Sequence, residues 1–303
     1  MRTRADIIIV GAGFAGLSAA VYLGRALRDT LVVDAGKSMG RWEPKVENYL
    51  GFPAGISGRG LLNRARRQAD RCSVRFKHDF IETTQRKGGE FLLQSASCSY
   101  CCKFLLLATG IFHLPPDIPG VKACLGHSMF FCKDCDGMRV RGKHVAVYGW
   151  TDDTVEYALA ILAYSPHVII VCDGHASAWD RRHQRWLTSS RIPVEPGRIT
   201  QLRRSGAKLE ALVLEDGRKL RAQALFTTRG DVMYNGLAKQ LGAELDGEGQ
   251  IVTDSCMRTT VRRLYAAGCV TTANCQMIIA SGQGATAAQA INRELFLAGL
   301  NSG

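Results

Sequence analysis

Asp6-Ile7-Ile8-Ile9-Val10-Gly11-Ala12-Gly13-Phe14-Ala15-Gly16 decides the fold, together with Leu17-Ser18-Ala19-Ala20-Val21-Tyr22-Leu23-Gly24 behind it and Leu31-Val32-Val33-Asp34 beyond. The apolar run to Val10 reads as a buried strand, the three spaced glycines as a tight turn, and the Ala/Leu-rich stretch as a helix. The first glycine allows the turn. The second lets the backbone approach a pyrophosphate, and the third lets the helix pack on the strand. A pyrophosphate then sits at the helix N-terminus, where unpaired amides and the helix dipole favour anions. Asp34 closes a second strand about twenty residues beyond Gly11, the place of a carboxylate that accepts from a ribose hydroxyl. A carboxylate there disfavours a 2′-phosphate, so FAD or NAD fits better than NADP.

Residues 7–24 carry no charge and match a membrane span in length, but their glycines fit strand–turn–helix better. The chain has 303 residues, room for two domains, and 46% apolar content supports a full core. Net charge is +12, which suits an acidic protein partner or an anionic membrane surface. No long like-charge run or aromatic–basic ladder points to nucleic acid. Eleven cysteines, an odd number without framework spacing, imply mostly thiols in a reducing, cytoplasmic setting.

Two of these cysteines lie in Cys132-Lys133-Asp134-Cys135-Asp136-Gly137. Sulfurs two residues apart close a small ring suited to redox exchange, and Asp136 stands ready to move a proton at the departing thiolate. Half of a zinc site uses the same spacing. Cys98-Ser99-Tyr100-Cys101-Cys102 lies in an apparent strand without a second pair at zinc spacing, so it reads as structural, and no metal is expected.

Asn48-Tyr49-Leu50-Gly51-Phe52-Pro53, Leu105-Leu106-Leu107-Ala108-Thr109-Gly110 and Leu264-Tyr265-Ala266-Ala267-Gly268-Cys269-Val270 complete an ordered set with the two motifs above. In that order the chain resembles the low-molecular-weight thioredoxin reductases of the pyridine nucleotide-disulfide oxidoreductase superfamily. The resemblance implies an α/β protein of two Rossmann-like dinucleotide-binding domains, the second inserted in the first. The FAD domain would take residues 1–114 and 247–303, and the insert carrying the Cys pair would take 115–246. It further implies that Cys135 faces FAD, that Cys132 exchanges with a thiol/disulfide protein or small dithiol, and that Asp136 is the acid/base. Gly11, Ala12, Gly13, Gly16, Asp34, Asn48, Ala108, Thr109, Gly110, Gly268, Val270 and Gln276 would hold FAD, in a homodimer.

The chain departs from that family in two places. A second fingerprint should bind NADPH, but Val145-Ala146-Val147-Tyr148-Gly149-Trp150-Thr151-Asp152-Asp153-Thr154 puts threonine at its second and third glycine positions. The following strand leads to Cys172-Asp173-Gly174-His175 instead of an Arg-rich patch. NADPH is therefore not expected; the alternatives are an NADPH-dependent thioredoxin reductase with an atypical nucleotide site and a flavin-binding regulatory protein without turnover. Asp173, spaced from Gly149 much as Asp34 is from Gly11, would suit an unphosphorylated ribose. The second site is then either a vestige or the seat of another dinucleotide, with Trp150 or Trp179 stacking on its ring. A second FAD would match the family's diflavin-linked members, and a ferredoxin-type donor its ferredoxin-linked ones. On the FAD side, the family's Gly-Asp-Val and Arg-Gln are Gly268-Cys269-Val270 and Cys275-Gln276. The reading favours Cys269 and Cys275 as inert small side chains, with additional thiols near the flavin as the alternative.

Overall fold

The computed structural model describes residues 2–228 and 230–300. In chain order the first part runs β1 (Arg2–Val10), α1 (Phe14–Arg25), β2 (Thr30–Asp34), α2 (Gly58–Asp70), β3 (Arg75–His78), β4 (Thr83–Lys87), β5 (Glu90–Gln94) and β6 (Ser99–Leu107). Next come β7 (Ile111–His113), β8 (Met129–Phe130), α3 (Lys133–Asp136), β9 (Val145–Tyr148), α4 (Asp152–Ile161), β10 (Val168–Val171), α5 (Arg181–Ser190) and β11 (Val194–Glu195). The rest is β12 (Ile199–Ser205), β13 (Lys208–Leu214), β14 (Lys219–Arg221), β15 (Ala224–Thr227), β16 (Asp231–Met233), α6 (Gly236–Gln240), β17 (Leu264–Ala266) and α7 (Met277–Leu300).

Two compact units emerge. Unit 1 comprises Met1–Glu43, Tyr49–Phe112 and Val232–Gly303, and unit 2 comprises Pro44–Asn48 and His113–Asp231. In unit 1 a seven-stranded sheet runs β3-β2-β1-β6-β5-β4, with β17 also paired to β6. Neighbours β3, β2, β1, β6 and β17 are parallel, and β5 and β4 add an antiparallel hairpin. Side chains alternate across a strand. Ile7 and Ile9 therefore enter one core with α1 and α7, while Ile8 and Val10 enter the opposite core with Leu237, Ala238 and Ala243. The apolar stretch 7–24 is thus a central strand, a turn and a helix, and among the described residues no helix is long and apolar enough to cross a membrane.

In unit 2 a parallel five-stranded sheet runs β11-β10-β9-β15-β8, beside an antiparallel sheet of β12, β13 and β14. The sequence reading ended the insert at 246, but unit 2 ends at Asp231. Residues beyond it return to unit 1 because α6 and the following turn bury Leu237, Ala238 and Ala243 against that unit's sheet. The polar loop around 247 marks a turn inside unit 1, with Asp246 accepting from the Glu248 and Gln250 amides.

Candidate active site and nucleotide cradles

The first fingerprint folds as its glycines require. Gly11 takes φ +106°, and an added Cβ would collide with the Ala108 carbonyl; a Cβ on Gly16 would lie within 3.0 Å of the Gly11 carbonyl carbon and 3.3 Å from Ala108 Cβ. A Cβ on Gly13, by contrast, would meet only Ser38 Oγ, at 3.6 Å. There the backbone faces open space at the end of α1. Leu17 N–H donates to Gly13 O (2.9 Å), and no side chain caps the helix. The amides before Leu17 point out of the helix end, as an anion-binding cradle needs. Asp34 Oδ1 accepts from Ala12 N–H (2.8 Å) and Oδ2 from Gly36 N–H (3.0 Å), which fixes the carboxylate beside the turn.

The remaining residues expected around this cradle divide. Ala108 donates its N–H to Val10 O (2.9 Å), Thr109 Oγ1 donates to Tyr234 O (2.7 Å), and Gly110 turns at φ +67°. Gly268, at φ +86°, lies where a Cβ would be 3.0 Å from Ala15 Cβ in the first turn of α1. Its N–H donates to Gln283 Oε1 (2.8 Å), a residue no sequence signal marked. Val270 is buried, its carbonyl accepting from Ile251 N–H (2.8 Å), and Gln276 precedes α7. Asn48 falls in the Pro44–Asn48 segment of unit 2 rather than in unit 1. The open backbone at Gly13 and the uncapped end of α1 fit the pyrophosphate of a dinucleotide.

The second loop keeps the strand and helix but not the cradle. Gly149 N–H donates to Val171 O (3.2 Å), as Gly11 N–H does to Val33 O (2.8 Å). At the third position, however, Thr154 Oγ1 accepts from Thr151 N–H (3.3 Å) and pairs with Thr228 Oγ1 (3.0 Å). The amide that would greet a phosphate is satisfied by the protein's own hydroxyl. Asp152 is also engaged, accepting from Asp180 N–H (2.8 Å) and lying 3.0 Å from His183 Nδ1.

Strand register also corrects the role given to Asp173. Val33 pairs with Val10 and Val171 with Tyr148, so the residue matching Asp34 is Cys172. Burial pushes the Cys172 thiol up to about 11. Asp173 comes one residue later at φ +53°, its carboxylate turned to Tyr148 Oη (3.0 Å) and Ile199 N–H (2.6 Å). Trp150 stacks on His175 at 3.6 Å between ring centroids, with Tyr148 edge-on at 5.9 Å. Trp179 Nε1 instead donates to Gln184 (2.9 Å).

The Cys132–Cys135 sulfurs are bonded, with Cα atoms 5.3 Å apart. Cys132 caps α3, its sulfur accepting from Cys135 N–H (3.1 Å). Asp136 is 5% exposed. Burial raises its carboxyl above the ordinary range, and Arg139 pulls the other way with Nη1 2.7 Å from Oδ1. Arg139 also donates to Gly126 O (2.8 Å), which locks the guanidinium in place. Its position three residues after Asp136 is the available signal for this pairing.

Cys269 and Cys275 are not separate small side chains: they form a second disulfide, with Cα atoms 4.8 Å apart. Cys72, Cys98, Cys101, Cys102, Cys124, Cys172 and Cys256 remain thiols.

Comparison with known proteins agrees with this geometry. The family described as pyridine nucleotide-disulphide oxidoreductase matches residues 5–291. A thioredoxin reductase of Treponema pallidum is 33% identical, the alignment covering 96% of this chain and 97% of that one. A putative thioredoxin reductase structure from Bacillus anthracis aligns with TM-score 0.88 at 26% identity, over 96% of this chain and 98% of that one. The atypical thioredoxin reductase TRi of Desulfovibrio vulgaris aligns with TM-score 0.54 at 34% identity, over 95% and 96%.

Proposed function

Because the chain belongs to the pyridine nucleotide-disulphide oxidoreductase family, we propose that this flavin-dependent disulfide oxidoreductase exchanges electrons with a thiol/disulfide protein through Cys132–Cys135, and that NADPH is not its other redox terminus. FAD, held at the α1 cradle, supplies a two-electron partner for a dithiol. Several relatives are thioredoxin reductases, which makes a thioredoxin-like protein the natural exchange partner.

The chain's own groups support this chemistry. When the pair is reduced, the Cys135 N–H aimed at Cys132 Sγ favours the Cys132 thiolate, the sulfur suited to attack an external disulfide. Asp136, whose carboxyl affinity for a proton burial raises, can deliver a proton to a leaving thiolate and take it back.

The observation that carries the nicotinamide claim is the hydroxyl of Thr154 sitting on Thr151 N–H. Asp152 and Asp153 in the same helical turn add negative charge, and residues 172–180 contain no arginine for a 2′-phosphate. A net charge of +12 suits an acidic redox protein of the ferredoxin kind as the electron source. A second FAD is the alternative, favoured by the Trp150–His175 aromatic pair at the loop. A cytoplasmic homodimer belongs to the same proposal.

Anaerobic mixing with NADPH tests it. The flavin should stay oxidised, and rapid bleaching at NADPH on the order of micromolar would refute the proposal. Counting FAD after denaturation separates the alternatives: one per chain for a protein donor, two for a diflavin enzyme.

A further inference from the structure

The Cys269–Cys275 disulfide adjoins Gly268, Val270 and Gln276 of the expected flavin cradle, but the roles given above use neither of its sulfurs, and it is separate from the Cys132–Cys135 pair. It spans the loop between β17 and α7, in unit 1, and joins residues six apart in sequence. Two features set it apart from a structural staple. A link across so short a loop removes less freedom from the unfolded chain than a long-range link does. And it is open to solvent: Cys275 is exposed and Cys269 half-buried, whereas Cys101, Cys102, Cys124 and Cys172 are buried thiols. Short, exposed disulfides belong to the labile, exchanging class.

Its surroundings favour a definite order of events. Cys275 stands two residues ahead of the 24-residue helix α7, where the helix end makes it a good leaving thiolate in the step that releases the substrate. Cys269 follows Gly268, which packs on Ala15 of α1 and is tied to Gln283 of α7. Thr271 Oγ1 donates to Gly268 O (2.8 Å), so the Cys269 side of the loop is anchored. The Cys275 side is the reachable one.

We propose that Cys269–Cys275 is a second thiol–disulfide exchange site, distinct from Cys132–Cys135 and taking a small or protein dithiol as its substrate. A thiolate of the dithiol attacks Cys275 Sγ. The Cys275–dithiol bond forms, the Cys269–Cys275 bond breaks, and Cys269 leaves as a thiolate that takes up a proton. The second thiol of the substrate then attacks its own sulfur in the mixed disulfide. The substrate leaves as a disulfide, oxidised by two electrons, and Cys275 is released as a thiolate and protonated.

The test uses full-length holoprotein carrying Cys132→Ser and Cys135→Ser, so that only the second pair responds. The protein is incubated under native, anaerobic conditions with oxidised or reduced dithiothreitol, alkylated, and read by peptide mass spectrometry, so that flavin reduction plays no part in the readout. Both sulfurs should be linked after oxidised dithiothreitol and both alkylated after reduced dithiothreitol. With oxidised glutathione as a disulfide probe, which loses one glutathione thiolate on exchange, Cys269→Ser should trap a mixed disulfide on Cys275, and Cys275→Ser should trap at least tenfold less on Cys269. A link that opens only after denaturation would overturn the proposal, as would sulfurs alkylated under both conditions. Trapping on Cys269 instead of Cys275 would overturn the order of attack.

Discussion

Gly16→Ala tests the first cradle most directly. The added methyl would lie inside contact distance of Gly11 O, 3.0 Å from its carbonyl carbon and 3.3 Å from Ala108 Cβ. The first two are backbone atoms and cannot rotate away. Restoring ordinary carbon–carbon contact of about 3.5–4.0 Å requires α1 to back off its strand by about 1 Å. The same movement carries the amides of the first helical turn away from the anion they face. A hydrogen bond of about 2.9 Å becomes one near 3.9 Å, which is no longer a bond. Hydrogen bonds to charged groups are worth about 1.5–3 kcal/mol, so losing one or two costs roughly 3 kcal/mol, or about a hundredfold in Kd. The assay is FAD titration of apoprotein by fluorescence quenching, with thermal unfolding of the apoprotein as a control. Thr154→Ala, at the matching position of the second loop, should leave FAD affinity at that first cradle unchanged. If Gly16→Ala holds FAD within threefold of the parent, the cradle reasoning is wrong.

Three further predictions concern titratable groups. Asp136→Asn should keep FAD and the fold but slow exchange with the partner disulfide by roughly 10²-fold or more. Arg139→Gln removes the charge that opposes burial at Asp136, so the limb of the pH profile that Asp136 sets should move upward; an unmoved limb would exclude Asp136 as the proton carrier. His183, its side chain 2% exposed, is held between Glu156 (Nε2 to Oε1 3.1 Å), Asp180 (Nδ1 to Oδ1 2.6 Å) and Asp152, and the Glu156 hydrogen bond leads in raising its pKa. The folded state therefore binds the proton more tightly than the unfolded chain. The resulting stability is fully present below about pH 6.5 and is lost as pH rises through the raised folded value. The Tm gap between the parent and His183→Gln should accordingly be widest near pH 6 and narrow toward pH 9; a gap that stays constant would refute the linkage.

The first half of the fold was readable because local and global signals coincide there. Gly11 and Gly16 each answer a steric demand that the surrounding backbone imposes, Gly13 leaves the helix end open, and Asp34 ends a strand whose register follows from unbroken apolar runs. The second loop shows where spacing misleads. A shift of one residue put Asp173 in the place that pairing gives to Cys172, because the count from Gly149 cannot see where β10 aligns with β9. The threonines at 151 and 154 were legible as obstacles to a phosphate, but not as a hydroxyl replacing that phosphate on the Thr151 amide. The unit boundary at Asp231 was hidden because burial of Leu237, Ala238 and Ala243 is a tertiary fact about a short amphipathic segment. The Cys269–Cys275 link was hidden for a similar reason: a turn between strand and helix, not a spacing rule, brings the sulfurs together.

The division of unit 1 between distant parts of the chain has a consequence for biosynthesis. The sheet centre and the fingerprint helix are made first, but β17 and α7, which close the same core, follow only after all of unit 2 has been translated. Unit 2, contiguous apart from five residues, can condense on its own schedule as chains do during synthesis. Ala15 meanwhile waits for Gly268 and Gly284, so until the later helix arrives the cradle lacks one wall. Nascent chains should thus acquire FAD late, and the flavin would report that translation has passed α7.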